Sequence, residues 1–561
     1  MVYMFQKKKA GNSKAWYLGE NKSVNGQSRR VWEKYVGTSK AIKKMIEDGL
    51  MPKEIDSISY GLPVSLLNID NEINFKDIID KHCPKRNQGL SVGEHILIDI
   101  INRIDEQHSH NQLGKWFKQT ILREVFFVNE AYLSSQSYWN HWQYLNEENI
   151  ENIQKELLPL IIKDIDLTQI FYDPTNFSTY IEDKHKKNPK KMKRHAVSMA
   201  NYGKPKSGIR GLRQINLALL VTKDFGIPLW HKPYEGNIND VTFFKKFINS
   251  LMDKIEIFAK QCQNITLIFD KGNNSPKNIE RVDKKLHFYV LGSLVPSQHK
   301  DLLKIPLSKF DITYKNSEGE ISKGYALRRE VFGKSCKIVI THNEKTAYNQ
   351  EKRTEKALAK ALAYLNEAKE KLNGPRWTDR DKIIIRLTKN ISKFHASKLV
   401  KWKLLKKGKK LALNFEENKE ELSIARDSYG KNILFTDNIL LSDKAIIKAY
   451  TDKDVVERSI KQLKNKHIIS YTPQYCWTDE SSRAHAFTCV MALLFSSLLR
   501  KKISQAGLEL STEEIVYNLK RIKQGTVLMP KRKSAIKMIE KMDDIQNQLY
   551  KKLELGNMPK G

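Results

Sequence analysis

The segment 448-KAYTDKDVVERSIKQLKNK-466 is the most informative stretch of this chain of 561 residues. Four polar residues recur in it at spacings of three, four and seven: Tyr450, Lys453, Glu457 and Lys464. On an α-helix these side chains project within a strip roughly 60° wide. The neighbouring strip is apolar, with Val456, Ile460 and Leu463. The spacing therefore predicts one helix with a buried seam and a polar edge that holds a carboxylate between cations.

An ordinary surface ion pair explains part of this pattern equally well. Lys453 and Glu457 stand four residues apart, and such a pair stabilises a helix by only a few tenths of a kcal/mol, or about 0.3–0.5. The ion-pair interpretation becomes weaker when two other carboxylates, far upstream, are found at the ends of strand-like segments.

The charge of the chain indicates a polyanionic partner. Lysine and arginine number 98 and aspartate and glutamate 64, which gives a net charge of +34. Such a field attracts nucleic acid, while 40% hydrophobic residues indicate a folded protein. An anionic membrane is the competing partner. However, the longest apolar run, 486–499, is too short to span a bilayer and favours a buried helix, so no membrane association is expected.

The cysteines and the N-terminus indicate a reducing, cytoplasmic compartment. The five cysteines are scattered and form no CxxC pair, so neither a zinc site nor a disulfide framework is predicted. The segment 1-MVYMFQKKKAG-11 has no apolar region of the kind that a signal peptide carries.

Strand and helix signals alternate along the middle of the chain. LTQIFYD (167–173) and NITLIFD (264–270) are strand-like and each ends in an acid, Asp173 and Asp270. Two more strands flank the hairpin signature at 223–226, a helix is predicted at 240–255, and a further strand at 288–295. This order predicts a mixed sheet with helices.

The two acids are candidate metal ligands. An acid directly after a buried strand, followed by turn residues, lies at the edge of the sheet, where ligands gather. If the two strands are adjacent, Asp173 and Asp270 nearly touch, and their repulsion calls for a cation. With Glu457 from a helix packed across the sheet, they offer hard oxygen ligands suited to Mg²⁺ or Mn²⁺. Taken singly, each Asp is equally typical of a turn or a helix cap.

These motifs resemble those of DDE transposases of the insertion-sequence 4 superfamily, in the branch typified by insertion sequence 1634. The signature of that group on its last catalytic helix is Tyr-x2-Arg-x3-Glu-x6-Lys, and this chain has it with Lys453 in place of Arg. Four further segments resemble those of the group: 171-FYDPTNF-177, 268-IFDKGNNS-275, Gly236-Asn237-x-x-Asp240 and 471–494. The N-terminal hairpin and 90–100 also match, so the resemblance covers most of the chain.

The resemblance implies an α/β fold with a ribonuclease-H-like mixed-sheet catalytic domain interrupted by an insertion domain, between N-terminal β-hairpin and helical regions and a C-terminal helical DNA-binding region. The expected divisions are 1–60 (N-terminal β-hairpin region), 61–160 (helical DNA-binding domain), 161–295 and 441–505 (the two parts of the catalytic domain), 296–440 (insertion domain) and 506–561 (basic helical C-terminal region).

The resemblance also implies an activity and a set of roles. The protein would cleave DNA strands at the ends of a mobile element and transfer them into target DNA, using two Mg²⁺ or Mn²⁺ ions. The metal ligands would be Asp173, Asp270 and Glu457, and the phosphates would be held by Tyr450, Lys453 and Lys464. Lysine at 453 keeps the charge of the family's arginine but lacks its bidentate fork. The partners would be double-stranded DNA, as terminal inverted repeats and target, and a second copy in a homodimer. The location would be the cytoplasm of a prokaryote, at the nucleoid.

A second candidate DNA-binding element is the basic run 401-KWKLLKKGKK-410, which holds Trp402 and six lysines. Stacking of Trp402 on an unpaired base, with phosphate neutralisation by Lys401, Lys403, Lys406 and Lys407, is one interpretation. A solvated basic helix whose tryptophan packs inward is the other. His485 matches the family segment but is more typical of a packing histidine.

Two other functions compete with transposition. A catalytically silent, DNA-binding descendant that acts as a regulator has no need of three clustered carboxylates beside a phosphate backbone. A ribonuclease-H-type nuclease of RNA–DNA hybrids shares the metal site but does not need long basic accessory domains. Terminal inverted repeats flanking the gene would distinguish an element from its descendant.

Overall fold

A computed structural model describes residues 2–8, 14–24, 27–47, 54–86, 88–181, 199–206, 208, 211–240, 242–244, 264–269, 279, 288–316, 319–408, 410–472, 476, 478–529 and 535–557. These residues form a mixed α/β protein. The chain divides into two compact units. The first comprises Met1–Asp80, Pro84–His141 and Leu498–Gly561, and the second Lys81–Cys83 and Trp142–Ser497.

The described strands are, in chain order, β1 (Val2–Lys8), β2 (Lys14–Val24), β3 (Gln27–Thr38), β4 (Glu54–Ser59), β5 (Gln169–Thr179), β6 (Arg213–Thr222), β7 (Pro228–Glu235), β8 (Ile265–Phe269), β9 (Phe288–Ser293), β10 (Ile312–Lys315), β11 (Ile321–Val331), β12 (Lys334–Asn343), β13 (Val400–Lys407), β14 (Lys410–Glu417), β15 (Lys431–Thr436), β16 (Lys523–Leu528) and β17 (Ile536–Ile539).

The described α-helices are α1 (Ser39–Glu47), α2 (Gly61–Ile73), α3 (Phe75–His82), α4 (Val92–Asp105), α5 (Leu113–Lys118), α6 (Leu122–Phe126), α7 (Ser135–Trp142), α8 (Glu147–Ile161), α9 (Lys300–Leu303), α10 (Glu344–Lys371), α11 (Arg380–Lys393), α12 (Lys419–Ser428), α13 (Asp443–Thr451), α14 (Asp454–Lys464), α15 (Asp479–Gln505), α16 (Thr512–Lys520) and α17 (Asp544–Lys552). Short 3₁₀ turns lie at Glu130–Leu133, Pro296–Gln298 and Leu307–Lys309.

The first unit contains two small sheets and a helical core. Strands β1, β2 and β3 form an antiparallel sheet, and β4, β16 and β17 form another. The pairing of β2 with β3 runs out to Val24 and Gln27, as expected for the predicted hairpin, whose turn residues 25–26 lie outside the described residues. Helices α2, α4 and α16 pack against one another. Ser511 and Glu514, three residues apart in the sequence, have the spacing of a capping box, and that capping box is present at the start of α16.

The second unit is built on one nine-stranded sheet, in the order β10-β11-β12-β15-β9-β8-β5-β6-β7. Strand β8 runs parallel to its neighbours β5 and β9, and the other pairs are antiparallel. The central strands are apolar runs, and β8 is buried along its whole length, as parallel strands covered on both faces must be. The predicted mixed sheet and the hairpin at 223–226, between β6 and β7, are therefore confirmed.

Part of the expected insertion, 296–440, belongs to this sheet. Strands β10, β11, β12 and β15 come from it and extend the sheet beyond β9. Strands β12 and β15 pair directly, from the pair Lys337–Thr436 to the pair His342–Lys431. The polypeptide between them therefore leaves the sheet at the end of β12 and returns to it at the neighbouring strand β15. We call residues 344–417, which comprise α10, α11, β13 and β14, the arm.

The arm has a hydrophobic cluster of its own. Its buried members come from all four elements: Ala361, Leu365, Ala368, Ile383, Leu387, Ile391, Ala396, Val400, Leu404 and Leu413. The arm's longest helix, α10, is rich in charged residues. The basic run at 401–410, however, is the β-hairpin of β13 and β14, so the interpretation of that run as a helix is wrong. Alternation along β13 turns Val400, Trp402 and Leu404 to one face, toward the cluster, and the lysines between them to the other.

The segment 448–466 is two helices and not one. Helix α13 ends at Thr451, and α14 begins at Asp454. At the break, Val455 and Val456 donate to the carbonyls three residues before them, Asp452 and Lys453, and the acidic Asp454 in the first turn of α14 favours a new helix start. Tyr450 therefore lies on a different helix from Glu457 and Lys464, and the single polar strip does not form.

Helix α15 is long and apolar enough to cross a membrane, but 89% of its most apolar window is buried in the protein. The predicted run 486–499 is thus the middle of a longer helix, and its burial agrees with the predicted core helix. His485, on α15, donates through Nε2 to the carbonyl of Tyr471 at 2.8 Å and meets the Tyr471 ring edge-to-face. This histidine packs and hydrogen-bonds, as expected.

The cluster of the arm can be tested with two residues of α11. We expect Leu387→Ala to destabilise the arm by about 2–5 kcal/mol, because Leu387 is fully buried and its loss leaves a cavity. Ile385→Ala is the control, since Ile385 is 67% exposed, and surface changes of this kind stay within about 0.5 kcal/mol. Hydrogen–deuterium exchange across residues 344–417 measures the difference. Equal protection in both variants would contradict the assigned cluster.

Candidate active site

Asp173 lies on β5, next to its last described pair with β8. Strand β5 continues to Thr179, so the prediction that the strand ends at Asp173 is wrong. Within the described residues, the pairing of β5 with β8 runs to Tyr172 and Phe269. On its other side, Asp173 pairs with Leu219 of β6. The half-buried Asp173 is therefore the first residue of β5 beyond its described contact with β8.

The second predicted acid follows the same edge in the sequence. Phe269 is the last described residue of β8, and the next residue is Asp270, which lies outside the described residues. The adjacency of β5 and β8, on which the predicted meeting of Asp173 and Asp270 depends, is confirmed. Among the described residues alone, no three His, Cys, Asp or Glu side chains are close enough to share a metal ion.

Helix α14 lies against β5 and β6. The predicted seam is confirmed, because Val456, Ile460 and Leu463 are all buried. Gly226 in the β6–β7 hairpin has a φ of +62°, and a Cβ there would meet Ser459 Oγ at 2.5 Å. A glycine is thus required for α14 to approach the sheet so closely.

Glu457 lies on the solvent side of this helix. Its side chain is 53% exposed, and its Oε1 is 3.7 Å from Lys453 Nζ. The ion pair considered from the sequence is therefore present. Lys453 Nζ also lies 5.6 Å from the centre of the Tyr450 ring, so these three residues remain close although the helix is broken between them. Tyr450 lines a polar cavity of about 700 Å³ formed with residues of α10, α12, β12 and β15.

Lys464 reaches from α14 to the strand that carries Asp173. Its Nζ donates to Thr175 Oγ1 at 2.9 Å and lies 5.4 Å from the centre of the Phe177 ring. The residue is exposed overall, but its ammonium end is partly enclosed. This burial lowers the pKa of Lys464, the charge of Lys206 lowers it further, and the negative charge of Asp173 opposes both.

Lys206 is a site residue that the sequence interpretation missed. Its Nζ is 3.2 Å from Asp240 Oδ2 and donates to the carbonyl of Pro174, while its backbone N–H donates to Asn176 Oδ1 at 3.0 Å. The only local signal was a lysine in 203-GKPKSG-208, which is typical of any basic loop. The contact forms because the loop folds back over β5.

Asp240, the acid of the Gly-Asn-x-x-Asp motif, is anchored at this site. It accepts a hydrogen bond from Tyr234 at 2.9 Å. Burial raises the pKa of Tyr234, and the negative charges that Tyr172, Asp240 and Asp173 carry when ionised raise it further. The phenol is therefore a neutral donor at ordinary pH. Of the predicted helix 240–255, residues 240 and 242–244 are helical, and the rest lies outside the described residues.

The described site thus alternates acids and ammonium groups. Two carboxylates, Asp173 and Asp240, stand with two lysines, Lys206 and Lys464, which interact electrostatically with each other. Carboxylates can hold a hard cation, and ammonium groups can hold phosphate. The arrangement can therefore bind a phosphodiester and a divalent cation side by side.

The candidate DNA-binding residues of the arm lie elsewhere in the second unit. Trp402 is half-buried against the hydrophobic cluster of the arm and pairs across the hairpin with Phe415. Both rings line a groove of about 570 Å³, together with Lys401 and Lys403. Lys403 and Lys406 are exposed, as is Lys401. Lys407 is in β13.

Comparisons with known proteins give likenesses to solved structures and none at the level of sequence. No protein-family model and no curated protein matches this chain. Among solved structures, the piggyBac transposase in its synaptic complex with hairpin DNA is similar, with 8% sequence identity, a TM-score of 0.38, and coverage of 83% of this chain and 82% of that chain. A likeness of this size does not identify a family.

The electrostatic coupling at Lys464 predicts two opposite pKa changes. We expect Lys206→Gln to raise the pKa of Lys464, because a repelling charge is removed, and Asp173→Asn to lower it, because an attracting charge is lost. NMR titration of isotopically labelled lysines measures both. Lys461→Gln, an exposed change on the same helix, should have a smaller effect. Shifts of the same sign in the first two variants would contradict the geometry.

Proposed function

We propose that this protein is a metal-dependent DNA phosphoryl transferase, a DDE transposase of the insertion-sequence 4 superfamily, that cleaves the ends of a mobile element and joins them to target DNA. The observation that carries the proposal is the position of Asp173. It lies directly beyond the last described parallel pair of β5 and β8, beside two ammonium groups, and Asp270 follows the other strand of that pair in the sequence.

The order of the strands supports a ribonuclease-H-like catalytic sheet as part of this proposal. In the series β7-β6-β5-β8-β9, the first three strands run antiparallel, and β5, β8 and β9 run parallel. Helix α14 packs on β5 and β6, so its glutamate comes from a layer over the same strands. The arm would be the inserted element.

The proposed ligands of the divalent ions are Asp173, Asp270 and Glu457. Magnesium ions held there would activate a water molecule or a DNA 3′-hydroxyl and stabilise the leaving oxygen. Carboxylate oxygens are the donors that such hard cations prefer. Because Glu457 faces solvent, its carboxylate is accessible to DNA-bound ions. Lys453 would leave Glu457 and bind a phosphate, which would free the carboxylate to ligate a metal ion.

The chain's own cations would orient the DNA. Two lysines would place positive charge beside the scissile phosphate. Lys464 is hydrogen-bonded to Thr175, and Lys206 is hydrogen-bonded to the carbonyl of Pro174. The charges of Asp173 and Asp240 keep these lysines near the acids. Lys453 and Tyr450 would contact the neighbouring phosphate. With the nucleophile a water molecule or a 3′-hydroxyl, no covalent enzyme–DNA intermediate is required, so no side chain is assigned as nucleophile.

The arm would hold DNA outside the catalytic sheet. Residues 344–428, the arm with α12, contain 22 lysines and arginines and 12 aspartates and glutamates, and the hairpin turns exposed Lys401 and Lys403 to solvent. Such a surface attracts the phosphate backbone without reading its sequence. We further propose that the active form is a homodimer, because two element ends must be held together, and that it works at the nucleoid in the cytoplasm of a prokaryote.

The catalytic proposal is tested by three substitutions. We expect Asp173→Ala, Asp270→Ala and Glu457→Gln each to abolish Mg²⁺-dependent strand cleavage while the melting temperature holds, since each change removes a proposed metal ligand and no apolar side chain. Cleavage of a labelled duplex and thermal denaturation measure the two effects.

Asp454→Asn is the matched control for Glu457. This exposed acid lies one turn earlier on α14, and we expect its loss to leave cleavage near the wild-type rate. If the Glu457→Gln protein still cleaves DNA, Glu457 is not one of the metal ligands. A wild-type protein that binds DNA but never cleaves it would instead favour the silent, DNA-binding descendant.

The role of the arm is tested with its exposed lysines. We expect Lys401→Gln with Lys403→Gln to weaken DNA binding and to lower the slope of log affinity against log salt by about 2, roughly one unit for each lost phosphate contact, with unchanged stability. Lys300→Gln with Lys304→Gln removes the same charge from exposed positions outside the arm and should change the slope less. Fluorescence anisotropy at several salt concentrations measures the slope for each variant. Equal slopes for the two double variants would exclude the arm as a DNA-binding surface.

A further inference from the structure

The N-terminal sheet separates its charged residues between two faces. The register of β1, β2 and β3, with side chains alternating along each strand, places one set on one side: Tyr3, Phe5, Lys7, Tyr17, Asn21, Arg30, Glu33 and Tyr35. We call this side the aromatic face. The other side, which we call the cationic face, carries Val2, Met4, Gln6, Lys8, Lys14, Trp16, Leu18, Glu20, Lys22, Arg29, Trp32 and Lys34.

The cations of the aromatic face serve the sheet itself. Arg30 lies 3.8 Å from the centre of the Phe5 ring, donates through Nη2 to Tyr3 at 2.9 Å and through Nη1 to Glu33 at 3.0 Å. Lys7 pairs with the same glutamate and lies 5.2 Å from the centre of the Tyr17 ring. These two hydrogen bonds lower the pKa of Glu33, so the network is closed and charged at neutral pH.

The cationic face has no such balance. Five of its residues are basic and one, Glu20, is acidic, and that carboxylate accepts from Trp32 Nε1 at 3.0 Å. No ion pair to a described residue is found for the five cations: Lys8, Lys14, Lys22, Arg29 and Lys34. All five are exposed, and so are three apolar side chains on the same face: Val2 at 56%, Met4 at 48% and Trp32 at 41%.

The whole segment is far more basic than the rest of the chain. Residues 2–47 hold 11 lysines and arginines and only 3 aspartates and glutamates. The full chain has 98 against 64. A folded sheet that keeps so many like charges on one face repels itself unless an anion lies against it. The charge therefore identifies a polyanion as the partner of this face.

We propose that the cationic face of the sheet β1–β3 docks on double-stranded DNA in the major groove. Strands lie about 4.8 Å apart, and the major groove, about 12 Å wide, admits a two-stranded ribbon, so β2 and β3 would enter the groove with β1 at its rim. The lysines would meet the phosphates on both rims. Arg29 and Trp32, on β3, would reach the groove floor, where arginine recognises guanine and apolar groups contact the methyl of thymine.

This inference rests on the proposed function only in taking DNA as the partner, and it needs neither metal nor cleavage. It assigns to the first 47 residues a mode of binding that is distinct from the phosphate contacts of the arm. If the protein binds duplex DNA through this face but does not cleave it, the inference holds and the catalytic proposal is wrong. If the protein cleaves DNA but does not bind it through this face, the catalytic proposal holds and the inference is wrong.

The test uses adjacent residues that point to opposite faces. In the full-length protein, Lys8→Gln with Arg29→Gln and Lys7→Gln with Arg30→Gln remove the same two charges, from the cationic and the aromatic face respectively. Binding to a duplex is measured in EDTA by fluorescence anisotropy over a salt series. We expect the cationic-face variant to lose about tenfold or more in affinity and about two units of salt slope, and the aromatic-face variant to lose much less. Equal losses would show a general charge effect and overturn the proposal.

A second pair guards against misfolding of the aromatic face, whose cations hold its network together. Met4→Glu and Tyr35→Glu each add one negative charge, on the cationic and the aromatic face respectively, at positions that are both 48% exposed. We expect Met4→Glu to weaken duplex binding more than Tyr35→Glu, with similar melting temperatures. The opposite order would overturn the proposal.

Chemical footprinting identifies the groove. We expect the wild-type protein to protect guanine N7, which lies in the major groove, from dimethyl sulfate, and the Lys8→Gln and Arg29→Gln double variant to lose that protection. Protection confined to adenine N3, which lies in the minor groove, would overturn the proposed docking. So would tighter binding of a single strand of the same length, or binding of anionic vesicles without binding of duplex.

Discussion

The parallel pairing of β5 with β8 is the constraint on which the rest of the second unit depends. It places two buried apolar strands side by side, and within the described residues it runs to Tyr172 and Phe269. Asp173, the next residue of β5, therefore lies on a central strand of a nine-stranded sheet. Two other elements of the site lie against the same strand: α14 packs across β5 and β6, and the loop with Lys206 folds back onto Pro174.

The electrostatics of the site follow from partial burial. Carboxylates collected at the edge of an apolar sheet are costly unless cations are near. Lys206 and Lys464 supply positive charge, but they also repel each other, and enclosure of the Lys464 ammonium lowers its pKa. In the proposed function, these internal partners would be exchanged for a ligand: a phosphodiester would take the lysines, and a divalent cation would take the acids.

The excursion between β12 and β15 shows how a large element can be added to a sheet at small cost. Because these two strands pair directly, their hydrogen bonds do not depend on the 87 residues that separate Asn343 from Lys431. The arm compensates for its own ordering with a separate hydrophobic cluster, and its outer surface is left free to carry charge. The N-terminal sheet is a smaller example of the same arrangement. One face carries aromatic rings and a closed ion network, and the other face carries cations.

The sequence by itself determined the local elements of this protein. Apolar runs gave β6, β8 and β9, the residues 223–226 gave a hairpin, Ser511 and Glu514 gave a helix start, and helical spacing gave the buried seam of Val456, Ile460 and Leu463. These features depend on neighbours within a few residues, so they can be predicted from the sequence.

Only the tertiary structure decided the rest. The extension of β5 past Asp173 and the extra strands from 296–440 depend on partners far away in the sequence. The break between α13 and α14 and the strand conformation of 401–410 involve nearby partners, but helical spacing alone did not predict the break, and the run of lysines did not predict the strand. Lys206 meets Asp240 and Pro174 across more than thirty residues of chain, and no local pattern encodes such a contact. Pairing energy between distant strands and the desolvation of charges are properties of the folded neighbourhood, which is why they override local propensity.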